Sequence, residues 1–104
     1  MPEPQLTVRR NDERSRYEID VDGVLGGYAD FEQVSPGLVR FPETVIDPAF
    51  REKGVGTLLV DEALRDAAAR GQTVIPLCPF VRHFLREHEV PGLNVQWPPA
   101  VGEA

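Results

Sequence analysis

A chain of 104 residues, 41% of them hydrophobic and 27% charged, has the size and composition of one globular domain, which excludes wholesale disorder and leaves no room for a separate substrate domain. Its net charge of −6, with basic residues scattered singly or in pairs, lacks the basic stripe that a nucleic-acid partner would require. No apolar run approaches the roughly 20 residues of a membrane helix, Met-Pro-Glu-Pro is neither a basic nor an apolar start, and Cys78 is the single cysteine, so the expectation is a cytoplasmic protein with no membrane association, no disulfide and no metal.

The domain is expected over residues 5–96, between flexible termini at 1–4 and 97–104 where proline and glycine accumulate. After a short strand over Leu6 to Arg9, alternation begins at Arg16: Tyr17, Ile19 and Val21 share one side of a strand, Glu18 and Asp20 the other. Asp22-Gly23 signals a tight hairpin turn. The second arm, Val24 to Val34, carries Gly26-Gly27, which within a strand points to a bulge or the close approach of another backbone. Ser35-Pro36-Gly37 makes the next turn, and Leu38 to Ile46 reads as a third extended segment that Asp47-Pro48 ends, since proline cannot extend a ladder. These segments predict an antiparallel meander.

At Gly54 the period changes. Val55, Leu58, Leu59, Ala63 and Ala67 follow helical spacing, and Gly71 supplies the stop, which predicts a helix over 54–70. Thr73 to Leu77 reads as a short buried strand, and Pro79 fits the first position of a second helix reaching about His88, with Phe80, Val81, Phe84 and Leu85 at core spacing. A helix joining the last meander strand to a further strand is a βαβ crossover, so those two strands should be parallel. The fold class is therefore mixed α+β: a meander, then helix, parallel-paired strand and helix.

The most informative segment joins the third strand to the first helix. A helix start offers unpaired amides and the positive end of the macrodipole, which together bind phosphate oxygens. Side chains at positions 54 and 56 would hold a pyrophosphate off those amides, and Arg51 and Lys53 add positive charge. The spacing is not G-x-x-x-x-G-K-S/T, which excludes an ATP-type P-loop, and it is not G-x-G-x-x-G after a parallel strand, which disfavours a dinucleotide fold. What remains is R-x-x-G-x-G, written here Arg51-Glu52-Lys53-Gly54-Val55-Gly56.

This pattern, after a strand ending in Asp-Pro and before an amphipathic helix, resembles the acetyl-CoA motif of the GNAT superfamily of N-acetyltransferases. The resemblance is closer to the short single-domain branch, which places a P-x-C-P-F-V segment where this chain has Pro76-Leu77-Cys78-Pro79-Phe80-Val81. It covers roughly Tyr17 to His88 and is strongest from Phe41 onward. It implies that the strand Phe41 to Ile46 splays from the strand Val74 to Leu77, and that the pantetheine arm of acetyl-CoA enters the wedge and pairs with the backbone of Thr44, Val45 and Ile46. The pyrophosphate would lie on the amides of Arg51, Glu52, Lys53, Gly54, Val55, Gly56 and Thr57. Cys78 and Phe80 join the cofactor-binding set.

Catalytic candidates follow from the same resemblance. An alkyl ammonium with a pKa of about 10 must lose a proton before it attacks. Glu43 is the first candidate base, standing where the short branch commonly has a histidine; it also reads as a solvated strand carboxylate. Cys78 precedes a helix whose dipole would favour the thiolate, so it either accepts the acetyl group or only lines the site as a small buried hydrophobe. Phe84 stands where the branch often has a tyrosine, so the role of protonating the departing thiolate is unfilled or has passed to Cys78 or to His83, one turn past Pro79, which also reads as an exposed helix histidine. The expected activity is acetyl transfer from acetyl-CoA to an amine-bearing acceptor, small molecule or protein, by a monomer or weak homodimer. The alternative is a non-catalytic acyl-CoA-binding or sensing module. An acidic surface suits a cationic amine and equally serves solubility.

Overall fold

The computed structural model describes residues 3–51 and 54–99, so the parts of the expected flexible termini at 1–2 and 100–104 lie outside the described residues. Strand β1 (Leu6–Asn11) pairs antiparallel with β2 (Arg16–Val21), which pairs antiparallel with β3 (Val24–Asp30). Asp22 at φ 50° and Gly23 at φ 85° form the two-residue turn between β2 and β3, the left-handed pair that matches strand twist. Tyr17, Ile19 and Val21 are buried as the alternation requires. Glu18, on the opposite face, is only 3% exposed: Arg9 and Arg16 each close an ion pair of 2.7 Å over it, and Asn11 donates a further hydrogen bond.

Gly26 and Gly27 mark both a bulge and a close approach. The register passes from Ile19↔Gly27 to Asp20↔Leu25, leaving Gly26 as the extra residue. The strand β6 (Thr44–Ile46) lies against β3 so tightly that a Cβ on Gly27 would come 2.7 Å from the Val45 carbonyl oxygen.

Two expected strands are each broken in two. The arm Val24 to Val34 stops at Phe31, whose ring is buried and whose N–H bonds to the Ser15 carbonyl at 3.0 Å; β4 (Glu32–Ser35) then leaves for a second sheet. The segment Leu38 to Ile46 is β5 (Leu38–Phe41) and β6, separated at Pro42-Glu43, where proline has no N–H to continue the ladder. Two four-stranded sheets result, ordered β1-β2-β3-β6 and β4-β5-β7-β8. Strand β7 (Thr73–Pro76) runs parallel to β5 from Leu38↔Thr73 to Phe41↔Pro76, the crossover pairing expected. Strand β8 (Asn94–Val95), parallel to β7, is too short to leave a periodicity in the sequence.

Helix α1 (Val55–Ala69) connects the sheets and buries Val55, Leu59, Val60, Ala63, Leu64 and Ala67 against them. It ends in a Schellman motif, with Gly71 at φ 71° and the Gln72 N–H on the Ala67 carbonyl at 3.0 Å. Tyr17, Phe31 and Phe41 form an aromatic cluster, Tyr17 lying 5.4 Å from Phe31 and 6.1 Å from Phe41 between ring centroids. Helix α2 (Pro79–Glu87) buries Val81 and Phe84 and leaves Phe80 41% exposed, so Phe80 departs from the core role its spacing suggested. Among the described residues, no helix is long and apolar enough to cross a membrane.

Candidate functional site

The two sheets part where β5 becomes β6. The Phe41 carbonyl takes the last bonds of the parallel ladder, from the N–H of Leu77 at 3.2 Å and of Cys78 at 2.9 Å. Beyond it β6 turns to pair with β3 while the chain after β7 enters α2. The opening is a cavity of about 360 Å³ lined by Thr44, Ile46, Arg51, Gly54, Gly56, Thr57 and Phe80.

The free edge of β6 faces this cavity. Asp30 N–H bonds to Glu43 O at 2.8 Å and Asp47 N–H to Gly26 O at 2.9 Å, so in an antiparallel ladder the alternate residues Glu43, Val45 and Asp47 spend their backbone groups on β3. Thr44 and Ile46 point theirs the other way. Arg51 reaches back with Nε 3.5 Å from the Ile46 carbonyl, which keeps its guanidinium at the cavity rim.

Gly54 and Gly56 serve different ends. Gly54 is the N-cap of α1 at φ 70°, a left-handed conformation that side chains disfavour, and its carbonyl accepts the Leu58 N–H at 3.1 Å. The amides of Val55, Gly56 and Thr57 come before that bond, in the first turn where helix N–H groups have no helical carbonyl to reach. Gly56 is buried, and a Cβ there would lie 2.9 Å from Phe80 Cζ and 3.4 Å from Ile46 Cγ1. A side chain at 56 would therefore meet the tip of the Phe80 ring, a packing constraint that stands beside the room for a phosphate expected from the sequence.

Of the expected cofactor-binding residues, Thr44, Ile46, Arg51, Gly54, Gly56, Thr57 and Phe80 meet at the cavity. Glu52 and Lys53 lie outside the described residues. Val45 turns its side chain outward, 36% exposed, and Val55 is wholly buried in the core, leaving only its amide at the helix start. Cys78 sits behind the cavity wall, 5% exposed, with Sγ 3.5 Å from Thr44 Oγ1.

None of the expected catalytic residues Glu43, Cys78 and His83 is among those lining the cavity. Glu43 is exposed at the β5–β6 junction, and His83 is exposed on α2, outside the cavity lining. Asp30 has no motif of its own and was not foreseen. Burial, and then the nearby Glu43 carboxylate, raise its pKa above the ordinary carboxylate value. Only the register Ala29↔Thr44 brings this pair together, so nothing local in the sequence announces it. Among the described residues no three His, Cys, Asp or Glu side chains cluster as a metal site would need.

The sequence matches the model of the GCN5-related N-acetyl-transferase family over residues 16–91. Among solved structures, Ard1 from Thermoplasma volcanium is 26% identical, with a TM-score of 0.53 over 58% of this chain and 41% of that one. The ribosomal-protein-alanine N-acetyltransferase of Brucella melitensis biovar Abortus 2308 is 22% identical, with a TM-score of 0.54 over 83% and 66%. The aminoglycoside N-acetyltransferase AAC(6′)-Iy, solved in complex with CoA, is 19% identical, with a TM-score of 0.51 over 86% and 64%. This chain thus spans between 41% and 66% of the length of these structures. A comparison with curated proteins gives no match.

Proposed function

The chain belongs to the GCN5-related N-acetyltransferase family, and from that premise we propose that it binds acetyl-CoA in the cavity between β6 and α2 and transfers the acetyl group to an amine. One observation carries the reading: the free edge of β6 and the first turn of α1 open into the same cavity, with Arg51 at its rim. The amides of Gly54 to Thr57 and the Arg51 guanidinium form an anion cradle suited to a diphosphate. Beside it, the outward N–H and C=O groups of Thr44 and Ile46 suit the amides of a pantetheine arm. An N–H of that edge is the donor that stabilises charge on the thioester carbonyl oxygen.

Transfer forms a C–N bond from the amine to the carbonyl carbon and breaks the C–S bond, the amine proton going to a base and the leaving thiolate taking a proton. Glu43, with Asp30 beside it, is the proposed proton acceptor, and Cys78, whose Sγ lies 3.5 Å from Thr44 Oγ1, the proposed group beside the leaving thiolate. The acceptor is an amine of unspecified identity. Calorimetric titration with coenzyme A tests the binding half: no heat of binding would remove the proposal. Thiol release from acetyl-CoA in the presence of polyamines, lysine peptides or aminoglycosides tests the chemistry.

A second reading, coenzyme binding without turnover, is favoured by one feature of α2. His83 lies outside the cavity lining, and the buried Phe84 has no proton to give. Binding without thiol release from any amine would select it.

A further inference from the structure

The face of the first sheet that carries Glu18 also carries a row of charge leading to the parted strands. Arg16 of β2 stands opposite Asp30 of β3, and the Asp30 N–H bonds to the Glu43 carbonyl at 2.8 Å, so Arg16, Asp30 and Glu43 succeed one another across the sheet. Directly opposed residues share a face. We infer that Arg16 is a positioning residue for the proposed proton acceptor: pinned by Glu18 and Tyr28, it holds Asp30 in its ionised form beside Glu43, ready for the amine proton. The inference rests on the acetyl-transfer reading above and adds what sets the pH range of that step.

Geometry is the first reason. Arg16 Nε donates to Glu18 Oε2 at 2.7 Å, and its guanidinium carbon lies 4.3 Å from the centroid of the Tyr28 ring. Glu18 is itself fixed, 3% exposed, with Arg9 at 2.7 Å on its other oxygen and Asn11 donating at 3.1 Å to the oxygen that Arg16 uses. A guanidinium stacked on a ring and bonded to a buried carboxylate keeps one position. Its ion pair goes to Glu18 and not to Asp30, so the charge acts on Asp30 through space and does not occupy the oxygens that must receive a proton.

Electrostatics is the second. Burial first, then Glu43 from the β5–β6 junction, raise the Asp30 pKa; Arg16 from β2 opposes them, and Glu32 from β4 adds a smaller push upward. Glu32 is itself held by Arg40 at 3.0 Å. Two neighbouring carboxylates titrate as a unit, and only an ionised pair has room for the proton that the amine gives up. Arg16 therefore extends proton acceptance to lower pH.

The pH dependence of amine-dependent thiol release in wild type, Arg16→Gln and Arg16→Lys tests this. Turnover in Arg16→Gln should fall roughly fivefold at about pH 5.5 and return to within about twofold of wild type by about pH 8, as loss of a neighbouring opposite charge implies. Arg16→Lys keeps the charge and should follow the wild-type profile. An acid limb that stays in place in Arg16→Gln, a uniform loss at every pH, or an Arg16→Lys profile that matches Arg16→Gln overturns the inference and leaves acetyl transfer standing. Carbon-13 NMR titration of the Asp30 side-chain carboxyl gives a reading independent of turnover: it should protonate at higher pH in Arg16→Gln than in wild type, and coincident titrations overturn the inference as well. A wild type that releases no thiol with any amine removes the transfer reading and this inference with it.

Discussion

Cys78 and Thr44 meet across the parted sheets, with Sγ 3.5 Å from Oγ1, so the thiol touches the strand edge proposed for the pantetheine without lining the cavity itself. Cys78→Ala is therefore expected to retain coenzyme A affinity. If the thiol exchanges a proton or the acetyl group, turnover falls by at least about a hundredfold, the usual size of a positioned acid or base contribution. Steady-state thiol release decides: full activity in Cys78→Ala reduces the residue to buried filler.

Gly56→Ala puts a methyl group 2.9 Å from Phe80 Cζ. Phe80 is 41% exposed and its ring tip can swing away, so stability should stay within about 1 kcal/mol, helped by the helix preference of alanine over glycine. The displaced ring is expected to enter the cavity and weaken coenzyme binding about tenfold. In a Phe80→Ala background the same alanine should cost much less. Equal losses in both backgrounds would dissociate Gly56 from Phe80 in a double-mutant cycle.

Asp30 titrates above the ordinary carboxylate value, because of its burial first and Glu43 second. A carboxyl whose pKa is raised on folding contributes stability that is complete below its unfolded pKa and is lost as pH rises through the folded value. Asp30→Asn is thus expected to stabilise the protein at about pH 7 and to have little effect at about pH 3. Urea unfolding at the two pH values checks this. A destabilising effect at neutral pH would contradict the sign.

The same acidic pair carries the proton-acceptor assignment. Glu43→Gln should lower amine-dependent turnover by at least about a hundredfold while leaving coenzyme affinity unchanged. Loss of turnover in Asp30→Asn alone transfers the role to Asp30.

Tyr17 ties β2 to α1: its hydroxyl donates to Asp66 Oδ2 at 2.6 Å and accepts from Arg10 Nη1 at 2.7 Å. Burial, then the bond to Asp66, pushes the phenol up to about 12 from 10.0. Its contribution to stability is present below the unfolded pKa and is lost between about 10 and 12. Tyr17→Phe should cost about 1–2 kcal/mol at neutral pH and remove that alkaline decline. Chemical unfolding over this pH window checks it, and an identical alkaline profile in the variant would place the titration elsewhere.

Much of the fold was legible because it depends on neighbours in the chain. Asp22-Gly23 specifies its hairpin by two residues able to adopt positive φ, Gly26-Gly27 shows the bulge through absent side chains, and Gly71 ends α1 through a bond pattern spanning only six residues. The R-x-x-G-x-G segment located the helix start by the same local logic.

Tertiary structure alone decided where strands change partner. Val24 to Val34 and Leu38 to Ile46 each read as one strand, because alternation records which side chains are buried and not which strand supplies the hydrogen bonds. Only the packed molecule breaks the first at Phe31, whereas Pro42, with no N–H, marks the second break locally; together the breaks part the sheets, turn the edge of β6 toward the cavity, and bring Asp30 beside Glu43. The same holds for Gly56, where the nearest atom a side chain would meet belongs to a phenyl ring 24 positions away in sequence. Local conformation is a property of short segments, whereas register and close approach belong to residues that become neighbours only when the chain has folded.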